Sequence, residues 1–401
     1  MQPLVISALA IANSLGVGLG ATAHALRERR SGLAPCAFET VALETYVGQA
    51  GGVDDYRIRP DLAAWDCRNN RLAQMTLESD KFADAVAAAR HRYRPARIGV
   101  FLGTSTSGIL QTELAFRQRD AETGALPADF HYAETQNTVS IGDFVQRYLD
   151  LAGPMFVVSS ACSSTAKVFA NAARMIEAGV CDAAVVGGVD TLCLTTLYGF
   201  NSLGLVSRAP CRPFDANRDG ISIGEGAGFA LIERETTDAM ALLLGVGESC
   251  DAHHMSTPHP EGLGARLAMQ RALDSAGLQP EDIDYINLHG TATKTNDASE
   301  DRAVVDIFGT STPASSTKGW TGHLLGAAGI TEAIIAILAM RNELLPGSLH
   351  TELRDPELRC NYLLDNVKQS AERVLSNSFG FGGSNCSLVL GRAHGLAVNR
   401  P

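Results

Sequence analysis

The sequence is poor in aromatic residues and in positive charge. Phe, Trp and Tyr make up 6% of its 401 residues, and 33 Lys and Arg face 44 Asp and Glu, a formal net charge of −11. Such a surface lacks the dense basic stripe that releases counterions from a phosphate backbone, so nucleic acid is excluded as the principal partner. An acidic partner would have to find a local basic patch. Paired cysteine motifs are missing too: nine cysteines are scattered without a CxxC or any metal-ligand spacing. That argues against a structural metal and for a reducing, cytoplasmic setting.

Long apolar runs are equally scarce. The nearest is 4–23, whose ATA ending resembles a signal-peptidase site, but no Lys or Arg precedes it, and Asn13, Ser14, Gly16, Gly18 and Gly20 interrupt it. It reads instead as a buried strand, a turn and a helix. No other stretch is long enough to be expected to cross a membrane.

What is abundant is glycine, 39 residues, within a chain that is 45% hydrophobic. At this length one core is too small, so two fused subdomains or one large layered α/β unit are expected. Short β-rich runs alternate with helical patterns, the signature of βαβ units. Strands are predicted at 97–103, 155–161, 182–190 and 228–233, then at 242–247, 284–288, 313–317, 374–378 and 386–390. Helices are predicted at 264–276, 297–308 and 323–344. The similar strand–helix order suggests a duplication into halves, 1–238 and 239–401, although no sequence repeat proves it. Segments 28–95 and 104–150 read as insertions that cap the site, the kind of loop that carries specificity.

Three segments carry chemistry. The apolar run MFVVSS leads into Ala161-Cys162-Ser163-Ser164 and a small-residue helix. A cysteine at a helix N-terminus meets unpaired N–H groups that favour the thiolate, so a lowered thiol pKa is expected for Cys162. Taken alone, it reads as readily as a buried structural cysteine. His289 in NLHGTAT and His323 in KGWTGH each follow a strand beside a glycine. Singly, each suits a hydrogen-bonded core histidine. The glycines of SNSFGFGGSN at 376–385 can expose consecutive N–H groups to an oxyanion, or form an ordinary tight turn. A further glycine cluster at 220–228 lacks the Lys-Ser/Thr of a phosphate loop and leads into a strand.

In this order, SSACSS (159–164), FDANRDGISIGEGAGFALIE (214–233), NLHGTATKTND (287–297), STKGWTGHLLGAAGITE (316–332) and SNSFGFGGSN make the chain resemble the elongating, Cys-His-His type of β-ketoacyl-acyl-carrier-protein synthase. The resemblance covers nearly the whole chain and implies a thiolase-like fold, with duplicated βαβ halves in α-β-α-β-α layers. It implies decarboxylative condensation of an acyl thioester with malonyl-acyl-carrier protein, in fatty-acid or polyene/polyketide synthesis. Cys162 would take the acyl chain, with its own N–H and that of Phe381 as oxyanion hole. His289 and His323 would hold the malonyl thioester carbonyl as CO2 leaves. Lys318 and its acidic partner Glu332 would orient the site, with Asp297 and Glu300 behind the first histidine. Phe381 would gate the acyl route beside Phe379, and Thr106 would line the acyl pocket.

Arg68, Arg71 and Arg208 match carrier-docking positions in this family. No metal and no cofactor are implied beyond the carrier's phosphopantetheine. The expected partners are acyl carrier protein and a second subunit, in a homodimer or a heterodimer with a chain-length-factor-like protein. Lys294 stands where the family usually has proline, which points towards a dedicated pathway such as polyene synthesis. A thiolase acting on coenzyme A esters is the main competitor, but Cys386 lacks the CxG setting that its second cysteine would need.

Overall fold

The computed structural model describes residues 1–236 and 238–393. Its main sheet is one hydrogen-bonded path built from two five-stranded units, with the short strand Asn361–Tyr362 added at one edge and two small sheets beside it. In chain order the first unit comprises Leu4–Asn13, Ile98–Gly103, Met155–Val158, Ala183–Asp190 and Gly226–Glu233. The second comprises Ala241–Cys250, Tyr285–Asn287, Pro313–Ser315, Arg373–Gly380 and Ser384–Gly391. In both, the spatial order is third, second, fourth, fifth, first. In both, the first three places are parallel and the last two antiparallel. The units meet where Leu4–Ile6 pairs with Ala241–Leu243. The duplication that no sequence repeat revealed is thus written in strand order.

Helices complete the layers. Ser164–Glu177 and Ala328–Asn342 pack on each other and lie between the two units. The second of these, AGITEAIIAILAMRN, is buried at every residue from Ala328 to Met340, because a helix that is apolar on all sides is stable only inside. The central core gathers Ile6, Phe101, Phe169, Ile334, Val374 and Leu388 from both halves. Arg68–Leu77 and Ser140–Tyr148 cover the outer face of the first unit, and Leu263–Ala276 with Lys294–Phe308 cover that of the second. The result is the expected α-β-α-β-α sandwich.

Several boundaries move. The strand before the nucleophile stops at Val158, and the predicted helix 323–344 begins at Ala328 after a 3-10 turn, Leu325–Ala327, leaving His323 in an isolated bridge to Ile223. The segment 4–23 is a buried strand that continues through a short pairing at Gly16–Val17 into the helix Leu19–Arg27. Leu325–Asn342 is long and apolar enough to cross a membrane by length and composition, but 89% of it is buried inside the protein. The segments 28–95 and 104–150 do not cap the site. None of their residues lines the cavity around Cys162; Arg68–Leu77 and Ser140–Tyr148 lie on the outer face of the first sheet unit, while Ile109–Arg117 packs against Leu192, Leu197 and Leu325.

Candidate active site

Each half delivers its reactive side chain at the end of a parallel strand. After Val158 the chain turns sharply, with Ala161 at φ +51°, a left-handed conformation that costs a non-glycine residue energy. Cys162 follows immediately before the helix Ser164–Glu177. Gly380 lies so close that a Cβ there would meet Ser160 O at 2.9 Å and Cys162 N at 3.2 Å, which explains a glycine at this place. The next residue, Phe381, starts a one-turn 3-10 segment linking two antiparallel strands, and its N–H points at the Cys162 thiol. Tight turn and anion-facing amide are therefore the same feature.

In the second half, the backbone of His323 is pinned on both sides. Its N–H donates to Ser222 O at 2.7 Å and its carbonyl accepts from Gly224 N at 3.0 Å. The glycine-rich segment that resembled a phosphate loop only by count thus serves to hold His323. His323 Nε2 stands 3.0 Å from Cys162 Sγ. The His289 and His323 rings meet edge to face with centroids 5.3 Å apart, and one donor atom from each of Cys162, His289 and His323 fits within 4.8 Å. Phe379 packs 5.9 Å from the His289 ring, and Phe381 packs 5.6 Å from Phe200.

The surroundings set the charges. Burial pushes the Cys162 thiol up to about 11, against the pull of Lys318 and the Phe381 N–H. The direction is opposite to the lowering expected from the helix N-terminus, because burial outweighs Lys318 and the Phe381 N–H. Burial and then Lys318 hold both imidazoles well below their ordinary range, so both are neutral. Lys318 is itself buried, ion-paired with Glu332, hydrogen-bonded to the His289 carbonyl and 3.3 Å from His289 Nδ1. Glu332 is raised by burial to about 7, against Lys318.

Glu300 accepts the amides of His289 at 2.8 Å and Gly290 at 2.7 Å, fixing the turn that carries His289. Asp297 instead binds the Phe214 amide and the Arg218 guanidinium, so it ties the 214–218 segment to the same helix.

Other predicted residues fall elsewhere. Thr106 lies outside the cavity, and its hydroxyl and amide both bind Asp190 at 2.8 Å. Arg68 is 3% exposed and grips buried Glu225 through two nitrogens, which removes it from any docking face. Arg71 is half-buried against Asp66. Arg208 is exposed, as a docking residue must be. Lys294 is the exposed first residue of its helix, the one helical position where proline fits without loss, and Thr293 and Thr295 beside it line the cavity. Cys386 is buried outside the cavity, without the role a thiolase would give it.

Sequence reasoning missed Phe200, Leu205 and Ile221, which line the cavity, and Asp190. Asp190 left a signal, an acid closing the otherwise apolar strand AAVVGGVD. The three apolar residues left none.

Residues 1–238 match the β-ketoacyl synthase N-terminal domain and 240–352 the C-terminal domain. The chain belongs to the β-ketoacyl synthase family. It is a condensing acyltransferase of fatty-acid or polyketide biosynthesis. A 3-oxoacyl-[acyl-carrier-protein] synthase 2 of Staphylococcus aureus is 34% identical over 77% of this chain and 83% of its own length. A structure of a Xenorhabdus doucetiae ketosynthase in complex with its chain length factor matches at 39% identity and TM-score 0.88, covering 98% of each chain. The ishigamide ketosynthase/chain length factor matches at 25% identity and TM-score 0.88, over 98% of this chain and 99% of its own.

Proposed function

We propose that Cys162 accepts an acyl chain from acyl carrier protein and that His289 and His323 drive the decarboxylation of malonyl-acyl-carrier protein. In the first step the Cys162 sulfur attacks the acyl thioester, its proton passes to His323 Nε2, and the carrier sulfur leaves as a thiol by taking that proton from His323. The Phe381 and Cys162 N–H groups receive the developing oxyanion. In the second step His289 and His323, the latter now in its Nε2–H tautomer, donate to the malonyl thioester oxygen while CO2 departs. The resulting enolate carbon attacks the acyl-cysteine, expelling the Cys162 thiolate, which takes up one proton from solvent.

The observation that carries this reading is the buried cluster of one thiol and two imidazoles, with His323 Nε2 3.0 Å from Cys162 Sγ and one donor atom from each side chain within 4.8 Å. One imidazole takes the thiol's proton, and both can donate hydrogen bonds to an enolate. Lys318, neutralised by Glu332, keeps the His289 ring turned by its contact with Nδ1. The reading uses the three side chains for proton transfer and hydrogen bonding and assigns no metal to them.

The acyl donor's arm enters past Thr291, Thr293 and Asn296, whose polar side chains line the cavity beside Lys294. Arg208 supplies the basic contact for an acidic carrier. Nine free cysteines support a reducing compartment, and we assign the protein to the cytoplasm.

The strand Met155–Val158 ends the sheet path, pairs on one side only and is half-buried at every residue. Such an edge calls for a second subunit. The ketosynthase–chain length factor pairs among its structural relatives favour a chain-length-factor-like partner over a second copy. The decisive assay supplies acyl- and malonyl-carrier proteins and measures CO2 and β-ketoacyl product. Full condensation by Cys162→Ala would refute the assignment.

A further inference from the structure

Asp190 ends the strand Ala183–Asp190 and has no part in the chemistry above. Its side chain is fully buried, and among the described residues no cation pairs with it. Instead, Oδ1 accepts from Thr104 Oγ1, Ser105 N, Thr106 N and Thr106 Oγ1, each at 2.8 Å, and Oδ2 accepts from Ala327 N at 3.2 Å. Five donors converge on one carboxylate, which is how a buried anion without a counter-ion is sustained.

The two sides of this carboxylate lead to the two reacting atoms. On one side Ser105 donates through Oγ to the carbonyl of strained Ala161 at 3.3 Å, and Ala161 precedes Cys162. On the other, Ala327 closes the turn that begins just after His323. Gly326 fits because a Cβ there would come within 2.8 Å of Asp190 Oδ2. A second strut runs in parallel: Thr165, on the nucleophile's helix, donates through Oγ1 to Gly326 O at 2.6 Å and accepts from Ile330 N at 2.9 Å.

We propose that Asp190 is a positioning residue that sets the Cys162–His323 contact, by clamping the segment behind the nucleophile's turn to the turn that follows the histidine. Thr165 reinforces the clamp. The role needs a carboxylate: an amide would present either its NH2 to the Ala327 N–H or that same group to the four donors on the other side. This inference rests on His323 as the acceptor of the thiol proton.

The test is Asp190→Asn, with Thr165→Val as the milder variant, each mixed with an acyl donor and followed by intact mass. The expected result is full acylation of Cys162 at a rate about 10- to 100-fold slower, with KM for the donor unchanged because Asp190 lies outside the cavity. A crystal structure of the variant should show Sγ–Nε2 widened beyond hydrogen-bond range, a readout independent of condensing activity. A normal rate constant on a reduced active fraction with a lower melting temperature, or a separation still at 3.0 Å, would overturn the proposal.

Discussion

His323 Nε2 and Cys162 Sγ stand 3.0 Å apart although 161 residues separate them in sequence and they belong to opposite sheet units. The contact makes His323 a partner of the thiol as well as of the later enolate. The two histidines should therefore separate in their effects. His289→Ala should still acylate Cys162 yet release no CO2 from malonyl-carrier protein. His323→Ala should slow both steps, by about 100-fold or more. Intact mass after acyl loading, alongside CO2 release, distinguishes the two variants. Equal acylation rates in both would remove His323 from the first step.

The thiol's own titration is a second expectation. Because burial raises Cys162 to about 11, it is protonated at every pH below that value, and its thiolate signal should appear only as pH approaches it. The ultraviolet thiolate absorbance of wild type minus that of Cys162→Ser should be flat at pH 8 and rise towards pH 11. A difference already present at pH 7 would show that the helix N-terminus outweighs burial after all.

Lys318 and Glu332 form a buried ion pair, so removing one partner strands the other. Lys318→Met should cost about 3–5 kcal/mol in chemical denaturation. Adding Glu332→Leu should recover most of that stability without restoring decarboxylation, since His289 still lacks its contact. Recovery of both would make the pair purely structural.

Arg68 and Arg208 should behave in opposite ways. Arg68→Ala leaves Glu225, which is 0% exposed, without its guanidinium and should lower the melting temperature. Arg208→Glu should keep the melting temperature and weaken carrier-protein binding several-fold, an effect that shrinks at high salt. Surface plasmon resonance at two salt concentrations, beside thermal melts, checks both.

These contrasts mark what could be read from residues alone. Cys162, His289 and His323 were legible because their chemistry is written locally, in a reactive side chain flanked by glycine or small residues at a strand end. The five layers came with the family resemblance, and the α/β class was legible from alternating periodicities. Burial was not: Arg68 looks like any surface arginine until Glu225, 157 residues away, is folded against it. The same holds for Thr106, whose hydroxyl is consumed by Asp190, and for the Cys162 thiol, whose helix N-terminus was visible while its desolvation was not. Properties set by distant neighbours leave no mark in a short window of sequence.

The half-exposed strand Met155–Val158 is the one that runs into the turn holding Cys162. Anything that docks on this edge braces the approach to the nucleophile itself. Specific activity should then fall on dilution as the assembly separates, while each isolated chain keeps its fold. In a cell, the abundance of the second subunit would act as a throttle on this enzyme before any substrate is bound.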